Sequence, residues 1–307
     1  MKATYHPAVQ KFALFVVCWT AGLLTVGALV TSDDAALSVS DWPTSFGSFF
    51  PPLRLLTGGA LIEDTHRLIG AVLGVWVIIL AALLAGYDER PWVKKLGYAA
   101  VFGVVLQGIL GGLAIVHVRH YWLPVIHACV AEIIFAILVS LAVFTSRWYC
   151  QDLPQYPDPS TPTIHSLVTF NAIVIFAQAL LGAGSRHRYM SYSPHVIWSM
   201  IVLLSVIWTA STLRRRFPNV VALSRARILL HALVGLQLLF GIGSLWSRIN
   251  TSDVAPPLPV VIALTVIHTV TGAILFAISI VTVVICYRLV PRNREVLLAT
   301  TKGEVPA

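Results

Sequence analysis

Eight long runs of apolar residues constrain the fold of this chain more than any other feature. The runs cover residues 12–31, 65–86, 95–116, 122–145, 163–184, 195–213, 228–247 and 259–287. A run of about 20 apolar residues is long enough to cross the hydrocarbon core of a bilayer as a helix. Because lipid offers the backbone no hydrogen-bond partner, each run is predicted to be a transmembrane helix.

The composition excludes a soluble globular domain. Of the 307 residues, 57% are hydrophobic and only 11% are charged, and the mean hydropathy is +0.83. These values are typical of an all-α polytopic membrane protein whose surroundings are the lipid bilayer. The first run lacks an A-x-A cleavage site, so we interpret it as a retained helix and not as a signal peptide.

The basic residues predict the orientation of the helices. If the N-terminus is cytoplasmic, the inner segments hold 15 of the 21 Lys and Arg residues. This bias favours cytoplasmic N- and C-termini in a cell (inner) membrane. The net charge of +8 is then a topology signal and requires no nucleic-acid partner. The six outer basic residues are Arg54, Arg67, Arg119, Arg186, Arg188 and Arg248.

The chain is predicted to be a tandem repeat of two four-helix bundles. The segment GALVTS (27–32) after the first run corresponds to GAGSRH (182–187) after the fifth. LQGILGGL (106–113) in the third run corresponds to LQLLFGIGS (236–244) in the seventh. Four helices per unit give both units the same orientation, so we expect a pseudo-two-fold axis along the membrane normal. The predicted units are residues 1–146 and 163–307, joined by a Pro-rich cytoplasmic linker, 147–162.

Four histidines occupy matching places in the two units. His66 and His127 lie in the second and fourth runs, and His195 and His268 lie in the sixth and eighth. A lone imidazole in a bilayer is costly, whereas a facing pair can ligate haem iron. We therefore predict that all four histidines are metal ligands of haem sites towards the outer face. From the boundaries of the runs, His127 and His268 are expected to lie deeper than the other two.

Two acidic residues accompany the first pair of histidines. Glu63 stands three residues before His66, so its carboxylate is predicted to share a helix face with that ring. The alternative is an acid favoured by the dipole at a helix N-terminus. Glu132 follows His127 by five residues and is either a structural hydrogen-bond partner or part of a proton path.

The outer loops carry basic residues with two interpretations. They are either hydrated loop side chains or a cationic rim that holds haem propionates, because carboxylates at a membrane interface favour Arg partners. We predict cofactor binding by Arg67, Arg186 and Arg188; the same loops contain Arg119, His117, His120 and His187.

The remaining polar residues of the runs receive structural interpretations. His165 and His231, near the inner ends of the fifth and seventh runs, are interpreted as interfacial side chains. Gln107, Gln178 and Gln237 are interpreted as hydrogen-bond donors between helices. The cysteines (Cys18, Cys129, Cys150 and Cys286) show no placement for an outer disulfide or a metal cluster.

The chain resembles the haem A synthase family over nearly its whole length. No single motif is diagnostic, but the ordered set on eight predicted helices is fairly specific. The matching pieces are GALVTSDDAALSVSDWPTSFGSFFPP after the first run, Glu63-Asp64-Thr65-His66-Arg67, LQGILGGL, LPVIHACVAE around His127, GAGSRH, His195 and His268.

The resemblance implies an oxidoreductase that converts haem O to haem A. Members of the family oxidise a ring methyl group to a formyl group by successive hydroxylations. By position, His66 and His127 would flank the substrate haem O, and His195 and His268 would be axial ligands of haem b. Glu63, His66 and His127 would then be the catalytic residues, with Glu63 beside the reacting centre.

The resemblance also implies partners. These are haem O synthase, assembly factors of cytochrome oxidase, and an electron acceptor that the sequence does not identify. The Gly-rich third run (Gly108, Gly111 and Gly112) can serve contacts within the chain or in a homo-oligomer.

The chain departs from the family pattern in its first outer loop. Many members carry two cysteines there, flanking the D-W-P motif, whereas this chain has Val39 and Ser45 around Asp41-Trp42-Pro43. A disulfide between these positions is therefore impossible in this chain.

Two other classes of protein stay open. One is a dihaem b-type membrane cytochrome that acts only in electron transfer, and the other is a haem-binding membrane protein without redox chemistry. Glu63 beside His66 and the extent of the resemblance favour the enzyme.

Overall fold

The computed structural model describes residues 4–117, 120–251, 254 and 257–292. Within these residues, eight helices are long and apolar enough to cross a membrane, and none of the residues forms an extended strand. The predicted all-α transmembrane fold is therefore confirmed. The helices are α1 (Pro7–Ser32), α2 (Gly59–Tyr87), α3 (Pro91–Val116), α4 (Trp122–Phe144), α5 (Ile164–Arg186), α6 (Ser193–Arg216), α7 (Val221–Asn250) and α8 (Pro259–Leu289).

Several helices extend beyond the apolar runs that predicted them. Helix α2 begins at Gly59, six residues before its predicted start, and α7 begins at Val221 instead of residue 228. A helix can continue through polar residues outside the hydrocarbon, so hydropathy does not set its ends. Glycine and proline positions set several of them. Gly58, before α2, has a φ of 54°, which favours glycine. Proline stands in the first turn of α1, α3, α6 and α8, where its missing N–H costs nothing.

The helices of each half of the chain form a closed ring of neighbours. Helix α1 packs against α2 and α4, and α3 packs against the same two; α5 and α7 likewise pack against α6 and α8. The halves meet where α1 and α4 contact α8 and where α4 contacts α5. Apolar side chains fill this centre, for example Phe135 against Ala273 and Ala277. The domain boundaries and the pseudo-two-fold axis remain predictions.

The two membrane faces carry different connections. The loop face carries residues 33–58, between α1 and α2, and is the face predicted to be outside. The linker face carries residues 147–162, predicted to be cytoplasmic. There the linker begins with a one-turn helix, Arg147–Cys150. It is fastened by a hydrogen bond from Tyr156 N to Leu289 O (2.8 Å) and by the ion pair of Asp158 with Arg216 (3.0 Å).

Candidate functional site

His195 and His268 face each other near the loop-face ends of α6 and α8. Their ring centroids are 6.1 Å apart and the ring planes are nearly perpendicular, at 87°. Two imidazoles that bind one metal ion from opposite sides through Nε2 have centroids roughly 6 Å apart, because each metal–nitrogen bond is about 2 Å long. The spacing of these two rings would therefore allow both to hold one metal ion.

Gln178 of α5 orients the His195 ring. The Gln178 carbonyl oxygen lies 3.2 Å from His195 Nδ1, and the Gln178 amide donates to the His195 carbonyl at 3.0 Å. A backbone acceptor at Nδ1 fixes the tautomer and leaves Nε2 to bind a metal. The Gln178 amide nitrogen is also 3.4 Å from Nε2, a long contact that a metal ion would replace.

A glycine on a neighbouring helix faces each of the four predicted ligand histidines. A Cβ atom on the glycine would stand 2.9 Å from ring atom Cε1 in three pairs and 3.4 Å from it in the fourth, the Gly111 pair. The missing side chain lets each ring lie directly against the helix. The pairs are Gly27 with His66, Gly111 with His127, Gly182 with His195 and Gly241 with His268.

The residue one helical turn before each glycine contacts the same histidine. Gln107 donates to the His127 carbonyl at 2.9 Å, as Gln178 does to that of His195, which confirms the predicted interhelical role of these two glutamines. Backbone groups of Leu23, Gln107 and Gln237 interact with His66, His127 and His268. Within the described chain, the buried Nδ1 atoms of those three rings have no hydrogen bond of good geometry.

The glycines were not predicted, although the sequence contains a signal for them. The spacing Gln-x-x-x-Gly occurs at Gln107–Gly111, Gln178–Gly182 and Gln237–Gly241, and Leu23–Gly27 is the fourth equivalent. Each of the four pairs lies on the helix that faces a histidine.

His66 and His127 lie at comparable distances along their helices from the helix starts. Because α2 begins at Gly59, His66 is about 10 Å from the helix start, and His127 is about 8 Å from the start of α4. The expected difference in depth between these two residues stays a prediction.

The Glu63 carboxylate contacts the loop that connects α1 and α2. Glu63 is buried, accepts a hydrogen bond from Val39 N (3.0 Å) and pairs with Arg67 (2.7 Å). Arg67 in turn donates to the carbonyl oxygen of Val39 at 3.0 Å. Glu63 and Arg67, both on α2, thus hydrogen-bond the backbone N–H and C=O groups of Val39. Glu63 lies one helical turn from His66.

Arg67 also holds the rest of this loop. Its guanidinium donates to Asp41 O (2.9 Å), Thr44 O (3.1 Å) and Ser45 Oγ (3.2 Å). Val39 and Ser45, the positions of the absent cysteine pair, are consequently joined through one guanidinium. Next to them, hydrogen bonds from the Thr44 hydroxyl and from the Gly47 and Phe46 amides lower the pKa of Asp41 to about 2.

The loop covers the end of the first half of the protein. The indole of Trp42 lies against Gly112 of α3, where any Cβ would overlap it. Gly112 is adjacent to Gly111, which faces His127. Trp42, which is 41% exposed, therefore packs beside this part of α3.

Arg186, at the end of α5, contacts both halves. Its guanidinium donates to Ala28 O (2.5 Å) and Ser32 Oγ (2.8 Å) of α1, and to Thr269 Oγ1 (2.6 Å) of α8. Arg188 is exposed in the following turn, with a φ of 58°. Of the predicted rim, Arg119 lies outside the described residues.

His187 and Glu132 are two further polar residues near this region. Burial, together with the charge of Arg186 and with His127, lowers the pKa of His187 to about 4. His187 is consequently neutral at pH 7 and adds no charge to the rim.

On α4, Glu132 Oε2 is buried without a hydrogen-bond partner among the described residues. All four cysteines lie in the described part of the chain and are free.

Comparison with known proteins finds relatives that are all named haem A synthases. The chain is 31% identical over 139 residues to a haem A synthase of Lysinibacillus sphaericus, covering 42% of this chain and 44% of the relative. It is 32% identical over 177 residues to one of Bacillus licheniformis, covering 56% and 55%. The match to one of Shouchella clausii is 23% identical but spans 73% of this chain and 83% of the relative. No family model matches the chain.

The fold and the site define the class as a polytopic α-helical membrane protein with histidines facing glycines on neighbouring helices. The two more identical matches span about half the length of the curated relatives, and the less identical match extends over most of it. These relatives and the eight-helix fold support membership of the haem A synthase family.

Proposed function

We propose that this protein is a haem A synthase, which oxidises a methyl group of haem O to a formyl group for the haem supply of cytochrome oxidase. The observation that carries the proposal is the set of four Gly–His contacts, which repeats one packing geometry in both halves. The names of the relatives support the same activity. The successive hydroxylations are part of the proposal.

The second half is proposed to hold haem b. His195 and His268, with ring centroids 6.1 Å apart, would both hold this group. Because Gly182 and Gly241 have no Cβ, the His195 and His268 rings can lie directly against α5 and α7. When bound, this group would supply one-electron transfer between the reacting half and an electron acceptor.

The first half is proposed to hold the substrate haem O between His66 and His127. The loop between α1 and α2, whose Trp42 lies against Gly112, would keep water away from the methyl group that is oxidised. Glu63 lies one turn from His66, with one oxygen on Val39 N and the other on Arg67. An ionised carboxylate held in this way can accept a proton or stabilise positive charge that develops on the oxidised carbon.

The three arginines are proposed to serve the haems in two ways. Arg188 is exposed at the loop face and is free to bind a propionate. The guanidinium groups of Arg67 and Arg186 hold protein groups around the two sites, so their first role is to position the loop and the two halves.

A dihaem b-type cytochrome is the second candidate. The same Gly–His geometry in both halves suits a resident haem in each. Extraction of haem from protein produced together with a haem O synthase separates the two functions. Haem A or hydroxylated haem O supports the enzyme, whereas haem B alone, at about two per chain, supports the cytochrome.

A further inference from the structure

A polar cavity lies at the linker face, far along α5 from the histidine sites. Its volume is about 520 Å³, and it is bounded by the start of α5, the end of α8 and the linker. The residues that matter for its chemistry are His165, Thr169, Tyr287, Arg292, Phe170 and Ile173. None of these residues takes part in the proposed oxidation.

Two buried polar atoms of the cavity lack a partner. The His165 side chain is 6% exposed, and its Nε2 has no hydrogen-bond partner among the described residues. Thr169 Oγ1, one turn further along α5, is likewise buried and unpaired within that part of the chain. Buried polar atoms of this kind are normally satisfied. Both can donate to the oxygen atoms of a ligand, Nε2 in the tautomer that carries the proton there.

The charge of the cavity favours an anion. The Arg292 guanidinium stacks over the Tyr287 ring at 4.7 Å, and that ring packs edge-on against His165. The acidic residue of the lining, Asp158, is already neutralised by Arg216 at 3.0 Å and accepts a hydrogen bond from Ile164 N. The N-terminus of α5 adds its positive dipole end to the same place.

An apolar strip leads away from the cavity into the membrane. Phe170 and Ile173 lie on α5 beyond His165 and Thr169, and they are 47% and 62% exposed. Residues at these spacings share one face of the helix, so the polar cavity continues into a lipid-facing apolar surface. This sequence of polar head region and apolar strip matches an amphiphile.

We propose that the cavity binds an anionic phospholipid, with its phosphate at His165 Nε2 and Arg292 and an acyl chain along Phe170 and Ile173. The linker face is predicted to be cytoplasmic, and anionic lipids are concentrated in that leaflet. The proposal does not depend on the haem chemistry at the other face.

The test uses the full chain purified in a mild detergent. Thermal unfolding is followed while dioleoylphosphatidylglycerol, dioleoylphosphatidylcholine or inorganic phosphate is added. We expect a saturable rise in Tm with phosphatidylglycerol, and no comparable rise with the other two. Native mass spectrometry should then show one retained phosphatidylglycerol per chain.

Matched variants locate the effect in the cavity. R292Q should weaken the apparent affinity for phosphatidylglycerol about fivefold, the effect of one basic residue at a membrane surface. R225Q removes another exposed arginine at the linker face, near the start of α7. This variant should leave the affinity for phosphatidylglycerol unchanged. H165F keeps an aromatic ring against Tyr287 but removes the donor, and should also weaken binding.

Four results would overturn the proposal. Equal weakening in R292Q and R225Q would mean that general surface charge attracts the lipid. An equal rise in Tm with phosphatidylcholine would indicate a non-specific lipid effect, and an equal rise with phosphate alone would assign the cavity to a free anion. Retention of a quinone instead of a phospholipid would likewise contradict the assignment.

Discussion

Arg186 of α5 donates a hydrogen bond to Ser32 Oγ of α1 at 2.8 Å and so ties the two halves together at the loop face. The same guanidinium binds Ala28 O, next to Gly27, and Thr269 Oγ1, next to His268. One positive charge therefore lies beside a histidine environment in each half.

Replacing this arginine should change the electron affinity of the second site. R186Q removes a positive charge near the proposed haem b, which should lower its midpoint potential by an amount on the order of tens of mV. Spectroelectrochemical titration of the purified protein measures this value. R54Q, which removes an exposed charge of the loop between α1 and α2, is the control and should have a smaller effect. Equal potentials in wild type and R186Q would refute the electrostatic role.

The glycine contacts predict a position-specific effect of a single methyl group. G241A would place a Cβ 2.9 Å from His268 Cε1, so the ring must move. We expect lower haem b content or an altered low-spin spectrum. G235A, on the same helix, meets no atom within 4 Å and should behave as wild type. Identical spectra in both variants would show that the glycine does not position the ring.

Glu63 should be needed for conversion and not for haem binding. E63Q keeps the size of the side chain but removes its charge, so we expect both haems to be retained and conversion to fall about 100-fold or more. Conversion is measured by chromatography of extracted haem.

A structural control separates the charge from the loop attachment. D64A removes the acceptor of the 2.6 Å hydrogen bond from Ser45 Oγ and so disturbs the loop, and it leaves the contacts of Glu63 in place. If D64A lost as much conversion as E63Q, attachment of the loop alone would explain the defect.

The predicted orientation can be tested with a thiol label. Phe50 is 89% exposed in the loop between α1 and α2, so F50C should react with a membrane-impermeant maleimide in intact cells. Cys150, the half-buried thiol of the linker, should react only after the membrane is opened. The reverse pattern would place the N-terminus outside.

The sequence was sufficient for the helices because hydropathy is a local property. All eight runs became helices, and the shifted starts of α2 and α7 reflect polar turns that hydropathy does not register. The interhelical roles of Gln107 and Gln178 could also be predicted, since a polar amide within a membrane requires a partner.

The contacts within the site were less accessible from the sequence. Which glycine faces which ring depends on how the helices pack, although the repeated Gln-x-x-x-Gly spacing points to the positions. The grip of Arg67 on the loop depends on the path of an irregular segment, which no periodicity describes. A hydropathy pattern cannot provide that path.

Haem extraction from the wild-type protein tests the central claim most directly. The protein is purified from cells that also make haem O, and the extracted haems are separated by chromatography and identified by mass. The account predicts haem A or hydroxylated haem O together with haem B. Haem B alone, at about two per chain, would contradict the synthase and identify an electron-transfer cytochrome.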